Sequence, residues 1–152
     1  MRLVAYFTIT NFEKEDNLED VERDGNMLNP TQIKCFFTFF CLEMGLKRKP
    51  YLSTNDVKEL QKIGLRLPKN GKPNKVFTLN TDDKGTIYEL FHTLWKYNGD
   101  EPKRGTQVRY AQFIKTYFSN FEHTSLSSIR RRISEGNPNF VNSIKENYLL
   151  LK

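Results

Sequence analysis

The sequence is poor in the residues that most small enzymes and metalloproteins use. Only two histidines and two cysteines occur among 152 residues, and the HExxH, CxxC, GxSxG and glycine-rich phosphate-binding motifs are all missing. His92 and His123 are far apart in the chain and stand where solvated or helix-capping histidines are typical. We therefore expect neither a metal centre nor a bound cofactor.

Acidic pairs are the other place where a catalytic site could lie. Asp82-Asp83 and Asp100-Glu101 both stand at predicted helix boundaries, where carboxylates commonly cap helices and oppose the helix dipole. The geometric demands of acid–base catalysis make such pairs a weak sign of chemistry. We predict that the protein is not an enzyme, with an enzyme of unrecognised site as the least favoured alternative.

Long hydrophobic runs are missing as well. The longest, Cys35–Leu42, is far shorter than the roughly 20 residues that a membrane span requires, and it lacks the setting of a signal peptide. Cys35 and Cys41 would point to different faces of one helix, so they are interpreted as buried thiols of a reducing compartment. The expectation is a soluble, cytoplasmic protein that does not bind membranes.

Charge is the first feature that is abundant, and it is unevenly distributed. The chain has 24 Lys and Arg against 18 Asp and Glu, a net charge of +6. Residues 1–30 carry 3 basic and 7 acidic side chains, whereas residues 44–75 carry 9 basic and 2 acidic ones. We predict an acidic N-terminal arm over residues 1–30 and a single helical domain over residues 31–152. The basic excess favours a polyanionic partner, although solubility alone is an equally open explanation.

Hydrophobic periodicity predicts a mainly α fold, a compact multi-helix domain with one small β-hairpin. The cap signals and apolar stripes place helices at Thr31–Met44, Thr54–Ile63, Thr106–Phe118, Ser125–Glu135 and Pro138–Leu150. A further helix is capped by Thr81–Asp83, carries its apolar stripe from Ile87 to Trp95 and ends at Asn98-Gly99. The segment Leu65–Leu79, with Lys69-Asn70-Gly71-Lys72 at its tip, is predicted to be the hairpin. This order of elements is typical of helix-turn-helix and winged-helix proteins.

The predicted helix Ser125–Glu135 carries the best candidate for a binding surface. At 100° per residue its apolar positions form one stripe, and Ser127, Ser128, Arg131 and Arg132 fall on the opposite side. Arg130 borders the apolar stripe, where it either snorkels or pairs. Arginine reads guanine edges and serine donates to phosphates, so the pattern favours DNA contact. A merely solvated helix face is the alternative.

A second group of basic residues lies on the predicted hairpin. Lys69, Lys72 and Lys75 would track phosphates if the hairpin acted as a wing, and the run Lys47-Arg48-Lys49 precedes the second helix. The alternative is a hairpin that covers the edge of the core and keeps its lysines outward against aggregation.

Four short stretches in the C-terminal half resemble a known family. They are Thr81–Phe91 (TDDKGTIYELF), Phe118–Phe121 (FSNF), Ile129–Arg132 (IRRR) and Phe140–Glu146 (FVNSIKE). Together they look like the C-terminal domain of the RteC family, helical regulatory proteins of conjugative transposons in Bacteroides-type bacteria. The resemblance covers residues 75–151, about half the chain.

This resemblance implies a helical domain with a winged-helix-like DNA-binding part that regulates excision or transfer of a mobile element. It also implies DNA contact by Arg130, Arg131 and Arg132. The family's proteins are longer, with a larger helical N-terminal domain, and Asn80 stands where the family is expected to have tryptophan.

We therefore predict a non-enzymatic, DNA-binding regulatory protein of a mobile element, with double-stranded DNA as its partner and the helix around residues 125–135 as its reader. The alternative is a protein–protein interaction module of a mobile element that does not bind DNA. Such a module would use the acidic N-terminal segment and an aromatic surface to hold a protein partner. A homodimer is compatible with either function.

Overall fold

Five helices make up most of the chain that the computed structural model describes, which is residues 30–96 and 104–136, the side chain of Arg104 excepted. The helices are α1 (Pro30–Thr38), α2 (Thr54–Ile63), α3 (Lys84–Lys96), α4 (Arg104–Tyr117) and α5 (Leu126–Glu135). Three 3₁₀ turns accompany them, at Phe39–Cys41, Leu46–Arg48 and Ser119–Phe121. The mainly α prediction is confirmed. The predicted acidic arm, apart from Pro30, and the predicted helix Pro138–Leu150 lie outside the described residues.

Helices α2 and α5 begin and end where the local signals predict. The hydroxyl oxygen of Ser53 accepts a hydrogen bond from the backbone N–H of Asp56 at 3.1 Å, and Ser125 caps α5 in the same way. Gly64 and Gly136 end the two helices with positive φ angles of 68° and 69°. These caps satisfy terminal backbone groups that have no partner within the helix.

Helix α1 is shorter than the predicted Thr31–Met44. It ends at Thr38, and the carbonyl of Lys34, about one turn from its start, accepts hydrogen bonds from two side chains. The Thr38 hydroxyl donates to that carbonyl at 2.9 Å, and the side-chain amide of Gln61 in α2 also donates to it at 2.9 Å. The chain tightens into the 3₁₀ turn Phe39–Cys41 and becomes extended at Leu42.

The core is built around the phenylalanines of α1 and the turn that follows it. Phe36 meets Phe91 of α3 edge to face, with ring centroids 5.0 Å apart. Phe37 lies 6.0 Å from Phe113 of α4 by the same measure. All four rings are completely buried, so α1 joins two helices that are distant in sequence. Aromatic pairs of this kind add to the hydrophobic gain of burial.

The segment Leu65–Leu79 is not the predicted hairpin. Among the residues that the structure describes, its two arms form no paired strands, and Phe77 forms an isolated parallel bridge with Phe118 instead. Phe77 donates its N–H to Tyr117 and accepts from the N–H of Ser119, so both of its backbone groups are engaged elsewhere. Pro68 and Pro73 also lack the N–H that a hairpin ladder needs.

Helix α5 packs against α3 and α4. On its apolar side Ile129 and Ile133 are completely buried, and Leu126 is partly buried against the core. The connection from α4 runs through Phe118, the 3₁₀ turn Ser119–Phe121 and a short loop, so it is longer than the roughly three- or four-residue turn of a compact helix-turn-helix.

Two further expectations concern cysteines and membranes. Neither Cys35 nor Cys41 forms a disulfide; Cys35 is buried and Cys41 is half-buried. None of the helices described here is both long and apolar enough to cross a lipid bilayer.

Candidate nucleic-acid interface

Helix α5 turns one polar face to solvent, because its two isoleucines fix the opposite side in the core. Arg131 lies on this face, its side chain is exposed, and no hydrogen-bond or ion-pair partner for it exists among the described residues. A guanidinium in this position can give all of its N–H donors to an external acceptor. The predicted orientation of Arg131 is therefore the one observed.

Arg132 lies beside Arg131 but is held in place by a neighbouring ring. Its guanidinium carbon is 4.8 Å from the centroid of Tyr88 in α3, and its Nε is 3.9 Å from a carboxylate oxygen of Glu135. The side chain keeps about half of its surface exposed, at 49%. Because the ion pair with Glu135 is long and solvated, it contributes little to stability. The ring of Tyr88, in contrast, restricts the rotamers of Arg132.

Arg130 points the other way. Its Nη1 donates to the side-chain oxygen of Gln107 at 3.1 Å, and Gln107 is a buried residue of α4. Of the two orientations that the sequence left open, pairing is the one found. This contact joins α5 to α4 and places the guanidinium at the helix–helix boundary, so Arg130 is a weaker candidate for DNA contact than its two neighbours.

The two candidate serines take part in the cap of α5. Ser125 accepts from the backbone N–H of Ser128 at 3.2 Å and donates its own proton to the Ser128 hydroxyl at 2.9 Å. The Ser128 hydroxyl consequently retains its proton for an outside acceptor. Ser127 is exposed, and its oxygen lies 3.3 Å from that of Ser125. Both hydroxyls thus lie at the positive end of the helix dipole, which favours contact with anions.

Two lysines that the sequence analysis missed support the loop before α5. Lys115 of α4 donates to the carbonyls of Glu122 and Thr124 at 3.0 and 2.7 Å. Lys84 of α3 donates to the Thr124 hydroxyl at 3.2 Å and lies 5.2 Å from the ring centroid of Phe121. The position of Lys115 in the last turn of α4 was the available signal, since cations there commonly bind carbonyls.

The basic residues of the Leu65–Leu79 segment do not form one surface. Lys69 and Lys72 are exposed at the turn closed by a hydrogen bond from Gly71 to Pro68. Lys75 instead lies against α2, where its Nζ is 2.7 Å from Asp56 and 3.1 Å from Glu59. Hydrogen bonds to these carboxylates raise the pKa of Lys75. Its charge is locally neutralised, which argues against the predicted phosphate contact by Lys75.

The histidines lie in two different environments. His92 Nδ1 is 2.6 Å from the carbonyl oxygen of Ile133, so His92 links α3 to the last turn of α5 in a capping role. His123 is exposed, with its Nε2 3.1 Å from the carboxylate of Glu122. Within residues 30–96 and 104–136, no group of three or more His, Cys, Asp or Glu side chains is arranged to hold a metal ion.

Comparison with known proteins adds no assignment to this geometry. No protein-family model, no curated protein and no solved structure matches the chain. Its functional interpretation therefore depends on the arrangement of its own residues.

Proposed function

We propose that this chain is a non-enzymatic protein that binds duplex DNA through the exposed face of α5, defined by Ser127, Ser128, Arg131 and Arg132. The observation that carries the proposal is the environment of Arg131. It is an exposed arginine on a well-packed helix, and its guanidinium has no hydrogen-bond or ion-pair partner among the described residues. Arginine in this setting can make bidentate contacts to guanine in a major groove.

The remaining residues of the face have complementary roles. Tyr88 restricts Arg132 in the free protein, which lowers the entropy that its binding would cost. The serine hydroxyls at the start of α5 suit phosphate oxygens, which set the register of a helix on the duplex. Arg130 supports α5 through Gln107 and acts as a positioning residue.

The turn with Lys69 and Lys72 is the remaining candidate for a wing-like contact. Both lysines are exposed. The turn precedes Phe77, which forms a β-bridge with Phe118 directly after α4. In this proposal they bind phosphates without forming the paired strands of a wing. The resemblance of residues 75–151 to the RteC family supports a regulatory role in a mobile element, which we include in the proposal.

The test is the affinity for random-sequence duplex DNA, measured by fluorescence anisotropy across a salt series. For B-DNA, log affinity falls with log salt by about 0.9 for each phosphate contact. Binding to random sequences measures the electrostatic part of the affinity. Selection from a random pool of duplexes then identifies a preferred site. Each bidentate base contact contributes about 1–3 kcal/mol of discrimination.

The informative variant is Arg131→Gln/Arg132→Gln, and Lys58→Gln/Lys62→Gln on exposed positions of α2 is the charge-matched control. We expect the arginine variant to lose preference for the selected site while the control retains it. An equal loss of site preference in both variants would show that the effect comes from net charge alone. If the wild-type protein does not bind DNA even at about 50 mM salt, where electrostatic attraction is strong, the proposal is wrong.

The alternative, a module that binds only proteins, was expected to use an aromatic surface. In the described residues the tyrosines and phenylalanines are buried, and Trp95 is half-buried. The surface on which that alternative relied is therefore missing from this part of the chain. Its decisive test is DNA-independent copurification of one partner that is lost when residues 1–29 are deleted.

A further inference from the structure

The loop Met44–Lys49 combines two features that the α5 face does not explain. Lys47, Arg48 and Lys49 are consecutive, exposed cations. Met44 and Leu46 are two of the three large hydrophobic side chains that the described residues expose, at 52% and 46%. A cluster of cations around exposed apolar side chains indicates a contact surface more strongly than either feature alone.

The backbone of this loop is held in a defined and unusual shape. Lys47 and Arg48 both have left-handed φ angles, 58° and 59°, which non-glycine residues rarely adopt. Such a conformation persists only where surrounding contacts enforce it. Gly45 donates to the carbonyl of Lys49 at 2.8 Å, and Leu46 donates to the carbonyl of Asn80 at 3.0 Å. The cations are therefore displayed by a braced loop.

Asn80 is the centre of this brace. Its side-chain amide donates to the carbonyls of Leu46 and Pro50, at 3.2 Å each, and its backbone N–H donates to Tyr51 at 2.9 Å. A β-carbon at Gly45 would collide with the Asn80 carbonyl oxygen. The loop is thus fixed against the segment that leads into α3.

The same segment also contacts the connection that precedes α5. Asn120 accepts from the N–H of Leu79 at 2.8 Å and donates to its carbonyl at 3.0 Å. Lys84 then reaches Thr124, next to the N-cap of α5. The basic loop and the chain before α5 are therefore both bonded to residues 79–84, and both present groups that suit anions.

We propose that the loop Met44–Lys49 is a second DNA contact, which binds the phosphodiester backbone beside the duplex surface taken by α5. The cations would bind phosphates, and Leu46 and Met44 would pack on the apolar faces of the sugars. The inference rests on the proposed function. Duplex DNA is the favoured occupant because its charge complements three consecutive exposed cations, on a loop that is bonded to the same segment as the chain before α5.

The test compares the salt dependence of DNA binding in three full-length proteins. The loop variant is Lys47→Gln/Arg48→Gln/Lys49→Gln, and the charge-matched control is Lys58→Gln/Lys62→Gln/Lys96→Gln. We expect the loop variant to reduce the slope of log affinity against log salt by about 2.7, at 0.9 for each of three lost phosphate contacts. The control should retain the wild-type slope. Circular dichroism and thermal unfolding verify that each variant is folded.

A second variant separates position from charge. Asn80→Ala leaves all three cations in place but removes the side-chain bonds to Leu46 and Pro50. Because the brace positions the cations, we expect this variant to lower the affinity for DNA at low salt by several-fold without a change in net charge. The unchanged affinity of a folded Asn80→Ala protein would contradict the role of the brace.

The outcomes distinguish this inference from the proposed function. DNA binding by the wild type with an unchanged slope in the loop variant would overturn the loop contact and leave the α5 face intact. No DNA binding by the wild type would overturn both. The same assay with vesicles of anionic and neutral phospholipid completes the test. Vesicle binding that the loop variant loses, together with an unchanged DNA slope, would assign the loop to a lipid surface and overturn the proposal.

Discussion

His92 in α3 and Ile133 in α5 are joined by a hydrogen bond of 2.6 Å from a ring nitrogen to a backbone carbonyl. Because a carbonyl oxygen only accepts, His92 Nδ1 carries the proton and donates it. The ring also fills the space beside Gly136, where a β-carbon would lie 2.6 Å from His92 Cδ2. The end of the candidate DNA-binding helix is thus fixed by a residue 41 positions earlier in the sequence.

This relationship predicts the stability of two variants. His92→Ala should lower the free energy of unfolding by about 1–2 kcal/mol, because a half-buried carbonyl loses its donor. Gly136→Ala should cost about 1–2 kcal/mol for the left-handed conformation alone, and more because the new methyl group displaces the ring. Urea unfolding measures both. In the double variant His92→Ala/Gly136→Ala the new methyl group no longer meets the imidazole ring. If the two losses of unfolding free energy were strictly additive, the collision with the ring would be unimportant.

Arg130 and Arg131 are adjacent, and we expect opposite effects of their substitution. Arg130→Met should destabilise the protein by about 1–2 kcal/mol, because Gln107 loses a charged donor inside the α4–α5 contact. Arg131→Met should change stability by less than about 0.5 kcal/mol, as is usual for exposed positions, but lower DNA affinity. Thermal unfolding and anisotropy distinguish the two. Equal destabilisation by both substitutions would contradict the orientation of α5.

Lys75 should behave differently from Lys69 and Lys72 in DNA binding. Asp56 and Glu59 neutralise Lys75, so Lys75→Gln should leave the salt slope unchanged. Lys69→Gln/Lys72→Gln should reduce that slope by about 1.8, at 0.9 for each phosphate contact. If Lys75→Gln reduced the salt slope as much as each lysine changed in Lys69→Gln/Lys72→Gln, the ion pairs of Lys75 would have to open on DNA binding.

Cys35 makes stability depend on pH in the alkaline range. Burial raises the pKa of Cys35 from 9.0 to about 11 in the folded protein. As the pH rises, the unfolded chain loses this proton first, so unfolding is increasingly favoured between pH 9 and 11. The loss for this one group is about 1 kcal/mol at pH 10.

The measurement is the free energy of unfolding by urea at pH 8 and pH 10, in the wild type and in Cys35→Ala. Burial also raises the pKa values of Tyr51, Tyr88 and Tyr117, so both proteins should lose stability at pH 10. The wild type should lose about 1 kcal/mol more. Parallel pH dependence in the two proteins would rule out a raised thiol pKa.

Local signals were sufficient for much of the fold. Ser53 and Ser125 cap their helices through hydrogen bonds to residues three positions later, so their role is readable from neighbouring residues alone. The orientation of Arg131 follows from the spacing of Ile129 and Ile133. These features depend on the 3.6-residue period of one helix and on no other part of the chain.

Long-range contacts set the features that the sequence analysis missed. Helix α1 was predicted to continue to Met44, but Gln61 of α2 binds the Lys34 carbonyl and the helix ends at Thr38. The predicted hairpin fails because Phe77 pairs with the chain at Tyr117 and Ser119. Periodicity within a window of residues carries no information about partners so far along the chain.

The sequence by itself determined the helical class, the caps of α2 and α5, and the solvent-facing side of Arg131, because each follows from residues within a few turns. Only the tertiary structure decided that Lys75 is neutralised by α2 and that Arg130 supports α4. It also showed that Asn80 braces the loop Met44–Lys49. The availability of a charge for binding depends on what lies within a few ångströms of it, and packing between distant segments sets that distance.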